Sequence, residues 1–67
     1  MSPEEIRSFC EAVQPYQLRI QVRMKLDSKP LVGKIKSTED DRFHLATSDG
    51  EVISNLRYAW VAGIQNA

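Results

Sequence analysis

The stretch QLRIQVRMKL, residues 17–26, alternates without a break. Leu18, Ile20, Val22, Met24 and Leu26 fall on one side of an extended chain; Gln17, Arg19, Gln21, Arg23 and Lys25 fall on the other. Successive side chains of a strand point to opposite faces, so the pattern predicts a half-buried strand over 17–26 with an apolar face that something else must cover.

Downstream, the chain repeats this theme in shorter pieces. DSKP (27–30) reads as a turn, and LVGKIK (31–36) as a second strand. Gly33 in its middle marks a bend or the close approach of another backbone. STEDD (37–41) is a polar turn leading into RFHLAT (42–47), a third strand with Phe43 and Leu45 inward and His44 on the opposite face. SDG (48–50) is a hairpin connection ending in glycine. EVISNLR (51–57) is the fourth strand, YAW (58–60) a link, VAGI (61–64) the last strand, and QNA (65–67) is expected to fray.

Upstream, MSPEEIRSFCEAVQP predicts a helix over 2–14. Ser2 is placed to cap it, Pro3 suits its first position, and Glu5 completes a capping box three residues after the serine. Ile6, Phe9, Cys10 and Val13 recur at helical spacing as one apolar stripe, and Pro15 stops the helix. Cys10 within that stripe reads as a small buried hydrophobe.

One helix followed by five short strands, all within 67 residues, predicts a single domain over 1–67, mainly β, with residues 17–65 rolled into a small, strongly bent five-stranded barrel. A chain of this length buries roughly 60% of the surface that its unfolded form exposes. Such scaffolds usually rely on a staple. Cys10 is the sole cysteine and His44 the sole histidine, which excludes an internal disulfide and a zinc site made by one chain. Assembly with other copies is the staple left by elimination. No cofactor is expected. An unpaired thiol, an acidic N-terminus without an apolar core, and apolar runs too short to cross a bilayer point to a cytoplasmic protein with no membrane partner.

Formal net charge is zero, which argues against strong non-specific polyanion binding by the chain as a whole. The charge is unevenly spread, however. Residues 17–36 hold Arg19, Arg23, Lys25, Lys29, Lys34 and Lys36 against Asp27 alone, while acids gather at Glu4, Glu5 and Glu11 and again at Glu39, Asp40 and Asp41.

The alternating strand at 18–26, the glycine at 33 followed by Ile35, and two further patterns carry a resemblance. DDRFHL supplies Asp40, then Arg42, Phe43 and His44; LRYAWV supplies Leu56, Arg57 and, four residues on, Val61. In order and spacing these are similar to the two motifs of the Sm-like (LSm/Hfq-type) family, from about Ser2 to Ile64. Arg42 stands at the family's aromatic position, Phe43 at its methionine, His44 at its asparagine and Tyr58 at its glycine, so the chain resembles a divergent member. The register needs one extra turn residue within 36–40.

The resemblance implies a homo-oligomeric ring in which the fourth strand of one copy pairs with the fifth of the next. Leu56, Tyr58, Trp60, Val61 and Ile64 would then lie at the interface. It also implies single-stranded RNA as ligand, bound by Asp40, Arg42, His44 and Arg57, in an RNA chaperone or regulator. Arg42 would stack its guanidinium on a base, and His44 would hydrogen-bond a base edge.

The plainer reading leaves His44 as an exposed strand residue, Arg42 paired with neighbouring acids, and Tyr58 and Trp60 as packing. Two alternatives follow from it: a ring-forming or edge-strand protein-interaction module that binds no nucleic acid, and a lone barrel that takes a peptide by strand addition. Enzymatic activity is not expected, because no nucleophile–base arrangement or glycine-rich phosphate loop is present.

Overall fold

The structure, a computed structural model, describes residues 1–27 and 29–67; Ser28, in the predicted Asp27–Pro30 turn, lies outside the described residues. The helix α1 spans Pro3–Val13. Ser2 caps it with both halves of the capping box formed: the Glu5 amide donates to Ser2 Oγ at 3.2 Å, and the Ser2 amide donates to Glu5 Oε1 at 3.0 Å. These bonds hold the Glu5 carboxyl below its ordinary range. A 3₁₀ turn over Gln14–Tyr16 follows, where Pro15 ends the α-helical ladder.

Five strands come next: β1 (Arg19–Met24), β2 (Leu31–Thr38), β3 (Arg42–Thr47), β4 (Val52–Arg57) and β5 (Val61–Asn66), with a 3₁₀ turn at Tyr58–Trp60 between the last two. They form one antiparallel sheet in the order β4-β3-β2-β1-β5. β4 and β5 are its two edges and do not pair with each other, so the sheet is not closed.

Alternation decides which side chains enter the core. Ile20 and Val22 of β1, Ile35 of β2, Phe43 and Leu45 of β3, Leu56 of β4, and Val61 and Ile64 of β5 are buried on one face. Ile6, Cys10 and Val13 of α1 close over it, with Tyr58 filling the gap beside Phe43. Each such aliphatic or aromatic side chain stabilises the fold by about 1.5–3 kcal/mol relative to exposure.

Three details differ from the sequence reading. β1 is shorter than 17–26. Leu18 and Leu26 lie beyond its ends and are exposed, because Gln17 takes a left-handed turn (φ 51°) before the strand and the chain turns away after Met24. β2 runs on to Thr38, with a register shift against β3 between Ile35 and Ser37. The C-terminus is paired rather than frayed: Asn66 lies opposite Ile20, and the Ala67 amide donates to the Arg19 carbonyl at 3.1 Å. β1 is long enough to template that whole segment.

At Gly33 the β2 backbone leaves no room for a side chain against β3. A Cβ there would lie 2.4 Å from the Ala46 carbonyl oxygen and 3.2 Å from Leu45 Cγ. The obstacle is backbone, which cannot swing aside. Gly33→Ala is therefore expected to destabilise the fold by about 1–3 kcal/mol, read as a lower urea midpoint at unchanged slope. An unchanged midpoint would refute the close approach.

Burial pushes the Cys10 thiol up to about 12, with Glu11's charge adding to it, and burial likewise pushes the Tyr58 phenol up to about 12. Both groups hold protons in the fold that the unfolded chain releases at its ordinary values of 9.0 and 10.0. The stability they contribute is complete below about pH 9 and is lost as pH rises towards 12. Denaturation midpoints are expected to fall above about pH 9, and less steeply in Cys10→Ala when each protein is compared with its own value at pH 8.

Candidate functional site at the β3–β4 end of the sheet

The predicted residues gather around the β2–β3 turn, and Tyr58 fixes that turn. The Glu39 amide donates to the Arg42 carbonyl at 2.8 Å, closing the hairpin over Asp40 and Asp41. The Tyr58 hydroxyl donates to the Glu39 carbonyl at 2.9 Å, and the Tyr58 amide donates to the Asp41 carbonyl at 3.2 Å. The Tyr58 ring stacks on Phe43 with centroids 5.6 Å apart and planes inclined by 17°. One buried aromatic thus fastens both sides of the turn while its ring completes the core.

On the other face of β3 stand Arg42 and His44, two residues apart. Arg57 of β4 lies directly across from Arg42. Like charges opposite one another repel, and the local structure offsets the repulsion on both sides. Arg42 donates through Nε and Nη2 to the two Asp41 carboxylate oxygens, both at 2.9 Å, and through Nη1 to Asn55 Oδ1 at 2.7 Å. The Arg42 hydrogen bonds and charge hold the Asp41 carboxyl below its ordinary range, and Asp41 in turn raises the Arg42 guanidinium. The Arg57 guanidinium lies over the Trp60 indole, 5.2 Å from the ring centroid. His44 Nε2 meets Glu39 Oε2 at 2.5 Å.

The structure therefore brings Arg42, His44 and Arg57 together on one face and leaves Asp40 apart. The Asp40 carboxylate is fully exposed and lies 3.6 Å from Arg7 Nη2, on the helix side of the turn. Leu56, Tyr58, Val61 and Ile64 lie in the chain's own core, whereas Trp60 is exposed. Met24, Lys25, Leu26, Asp27 and Trp60 line an apolar groove beside the Arg57–Trp60 pair. Among the described residues no three His, Cys, Asp or Glu side chains converge as metal ligands. Nor, among the described residues, is any helix long and apolar enough to cross a membrane.

Two participants escaped the sequence reading. Glu39 reads as part of a polar turn, yet its carboxylate reaches forward five residues to His44. Asn55 reads as an ordinary residue of the fourth strand. It sits in the left-handed region (φ 63°) at a bulge, where the β3–β4 register shifts between Phe43 and Leu45. An asparagine in the interior of a predicted strand is the available signal, because Asn tolerates that conformation better than most residues. The chemistry presented is a guanidinium–indole pair at the surface, flanked by an arginine and a histidine that acids already hold.

No protein-family model matches the sequence, and no curated protein matches it.

The left-handed backbone and the side-chain bond at Asn55 are separable. Asn55→Gly is expected to lose only the bond to Arg42, about 1 kcal/mol or less. Asn55→Ala adds roughly 1–2 kcal/mol of backbone strain. Equal thermal stability of the two variants would refute the bulge geometry.

Proposed function

We propose that this chain is an assembly module whose copies join by pairing β4 of one with β5 of the next. The observation that carries this reading is the sheet order. The two edge strands are neighbours in sequence yet stand at opposite ends of the sheet, and neither has a second partner strand. An open edge presents unpaired N–H and C=O groups, and both edges here are antiparallel partners in waiting. Head-to-tail pairing that closes into a ring removes every such edge and gives a short chain its staple. The edges are also poorly defended against pairing: β5 (VAGIQN) has no charged residue, and β4 exposes Val52. The resemblance of the element order and of Gly33, Leu56, Arg57 and Val61 to the Sm-like family supports the same ring and a sheet closed by its neighbours.

A second element of the reading concerns the ligand. The Arg57–Trp60 pair is exposed and has no acid partner among the described residues, as single-stranded RNA requires of a stacking and phosphate contact. Arg42 and His44 favour the alternative, an assembly that binds no nucleic acid. Asp41 and Glu39 already neutralise or occupy them.

Sedimentation at micromolar concentration tests the reading. A closed oligomer is expected for the full chain, shifted to monomer by Val52→Lys, which places a charge on the β4 edge. A monomer for the unaltered chain would overturn the assembly. With assembly established, titration with oligouridylate separates the two ligand readings: salt-sensitive binding lost in Arg57→Ala supports RNA, and no binding at low salt supports the protein-only module.

A further inference from the structure

The outer face of β2, β1 and β5 is a second charged surface, and its electrostatics differ from those of the β3–β4 end. Arg19 and Arg23 project from β1 and Lys34 and Lys36 from β2, all four exposed. Arg19 lies directly opposite Lys34 in the ladder. No Asp or Glu occurs anywhere in these three strands. Among the described residues none of the four cations makes an ion pair; the pairs that form use Arg7, Arg42 and His44.

Small neighbours leave the cations uncovered. Beyond Lys34 on β3 stands Ala46, and beyond Arg23 on β5 stands Gly63, with Arg23 Nη2 only 3.6 Å from where a Cβ would be. Gln17, Arg19, Gly33, Lys34, Ala46, Thr47 and Ser48 line a shallow depression around the Arg19–Lys34 pair. An opposed cation pair without a counterion weakens the sheet, whereas the similar Arg42–Arg57 opposition is relieved by Asp41, Asn55 and Trp60. Among the described residues the Arg19–Lys34 opposition has no such relief within the chain.

We propose that the β1–β2 face binds the phosphodiester backbone of a single-stranded nucleic acid. Lys34 and Lys36 stand two residues apart on β2, about 6.6 Å, and Arg19 and Arg23 four residues apart on β1, about 13 Å, so the face presents its charges at intervals that suit a ligand with repeated negative charges. The face offers no aromatic ring, so the contact is with phosphates rather than bases and is indifferent to sequence. Four cations on one copy suffice, so the site needs neither assembly nor the Arg57–Trp60 pair.

The test is titration of the full chain with a short oligouridylate at several salt concentrations. Neutralising four phosphates gives a log–log salt slope of about −2.8, so raising salt from about 50 to about 200 mM is expected to weaken binding ~50-fold. In Arg19→Gln/Lys34→Gln the slope falls to about −1.4 and the same change weakens binding only ~7-fold. That variant is expected to melt at the same temperature or higher, because it removes a repulsion; Arg23→Gln/Lys36→Gln serves the same purpose should it fail to fold. Binding is expected at concentrations where the chain sediments as a monomer, so loss of the assembly reading leaves this one standing. Unchanged affinity and slope in a folded double variant would overturn the proposal, as would no binding at about 50 mM salt. Equal displacement by polyglutamate of the same charge would overturn the assignment to phosphodiesters. Loss of binding in Arg57→Ala but not in Arg19→Gln/Lys34→Gln would place the ligand at the β3–β4 end and refute this inference alone.

Discussion

The packing of three helix side chains onto a single apolar sheet face holds this protein together. Each strand has only a few inward residues, and none could remain dry without a lid. Ile6, Cys10 and Val13 supply that lid, and the buried cluster they complete takes in residues from every strand. The helix depends on the contact equally. An isolated helix of this length is marginal in water even with a good cap, so the capping box at Ser2 and Glu5 sets where it begins while the core determines that it persists.

With the core committed to one face, charge is managed on the other, and it is managed in two ways. Around β3 and β4 each positive group has a local partner: Asp41 and Asn55 for Arg42, Glu39 for His44, the Trp60 indole for Arg57. Tyr58 holds the turn that supplies two of those acids, linking the core directly to the charge arrangement above it. Around β1 and β2, among the described residues, the cations have no such partners. A chain of zero formal charge thus has a compensated end and an uncompensated face, and a ligand's field would be felt mainly by the second.

The edges set the third constraint. β1 lies between β2 and β5 and is satisfied on both sides, as are β2 and β3, whereas β4 and β5 each have one partner. The chain cannot pair its own two edges in the arrangement observed. Tyr58–Trp60 turns the chain out of β4, and β5 then runs beside β1 at the far side of the sheet.

Much of this was legible in the residues. Alternation over Arg19–Met24, Pro15 after the helical stripe, the Ser2–Glu5 box and Gly33 act within a few residues of one another, so short-range sterics and periodicity fixed the element order and which side chains face inward. The local rules failed where partners are distant in sequence. The Asn66–Ala67 segment reads as a loose end but is held by β1, and Leu18 and Leu26 fit the alternation but lie past the ends of the ladder. The same distinction separates the sites. The sequence determined that cations cluster at 17–36 and that Arg42, His44 and Arg57 occur where they do; only the tertiary structure decided that Arg19 opposes Lys34 without an acid, while Arg42 and Arg57 oppose each other with acid and indole at hand. Cross-strand register sets those distances, and register follows from the whole sheet rather than from any one stretch of chain.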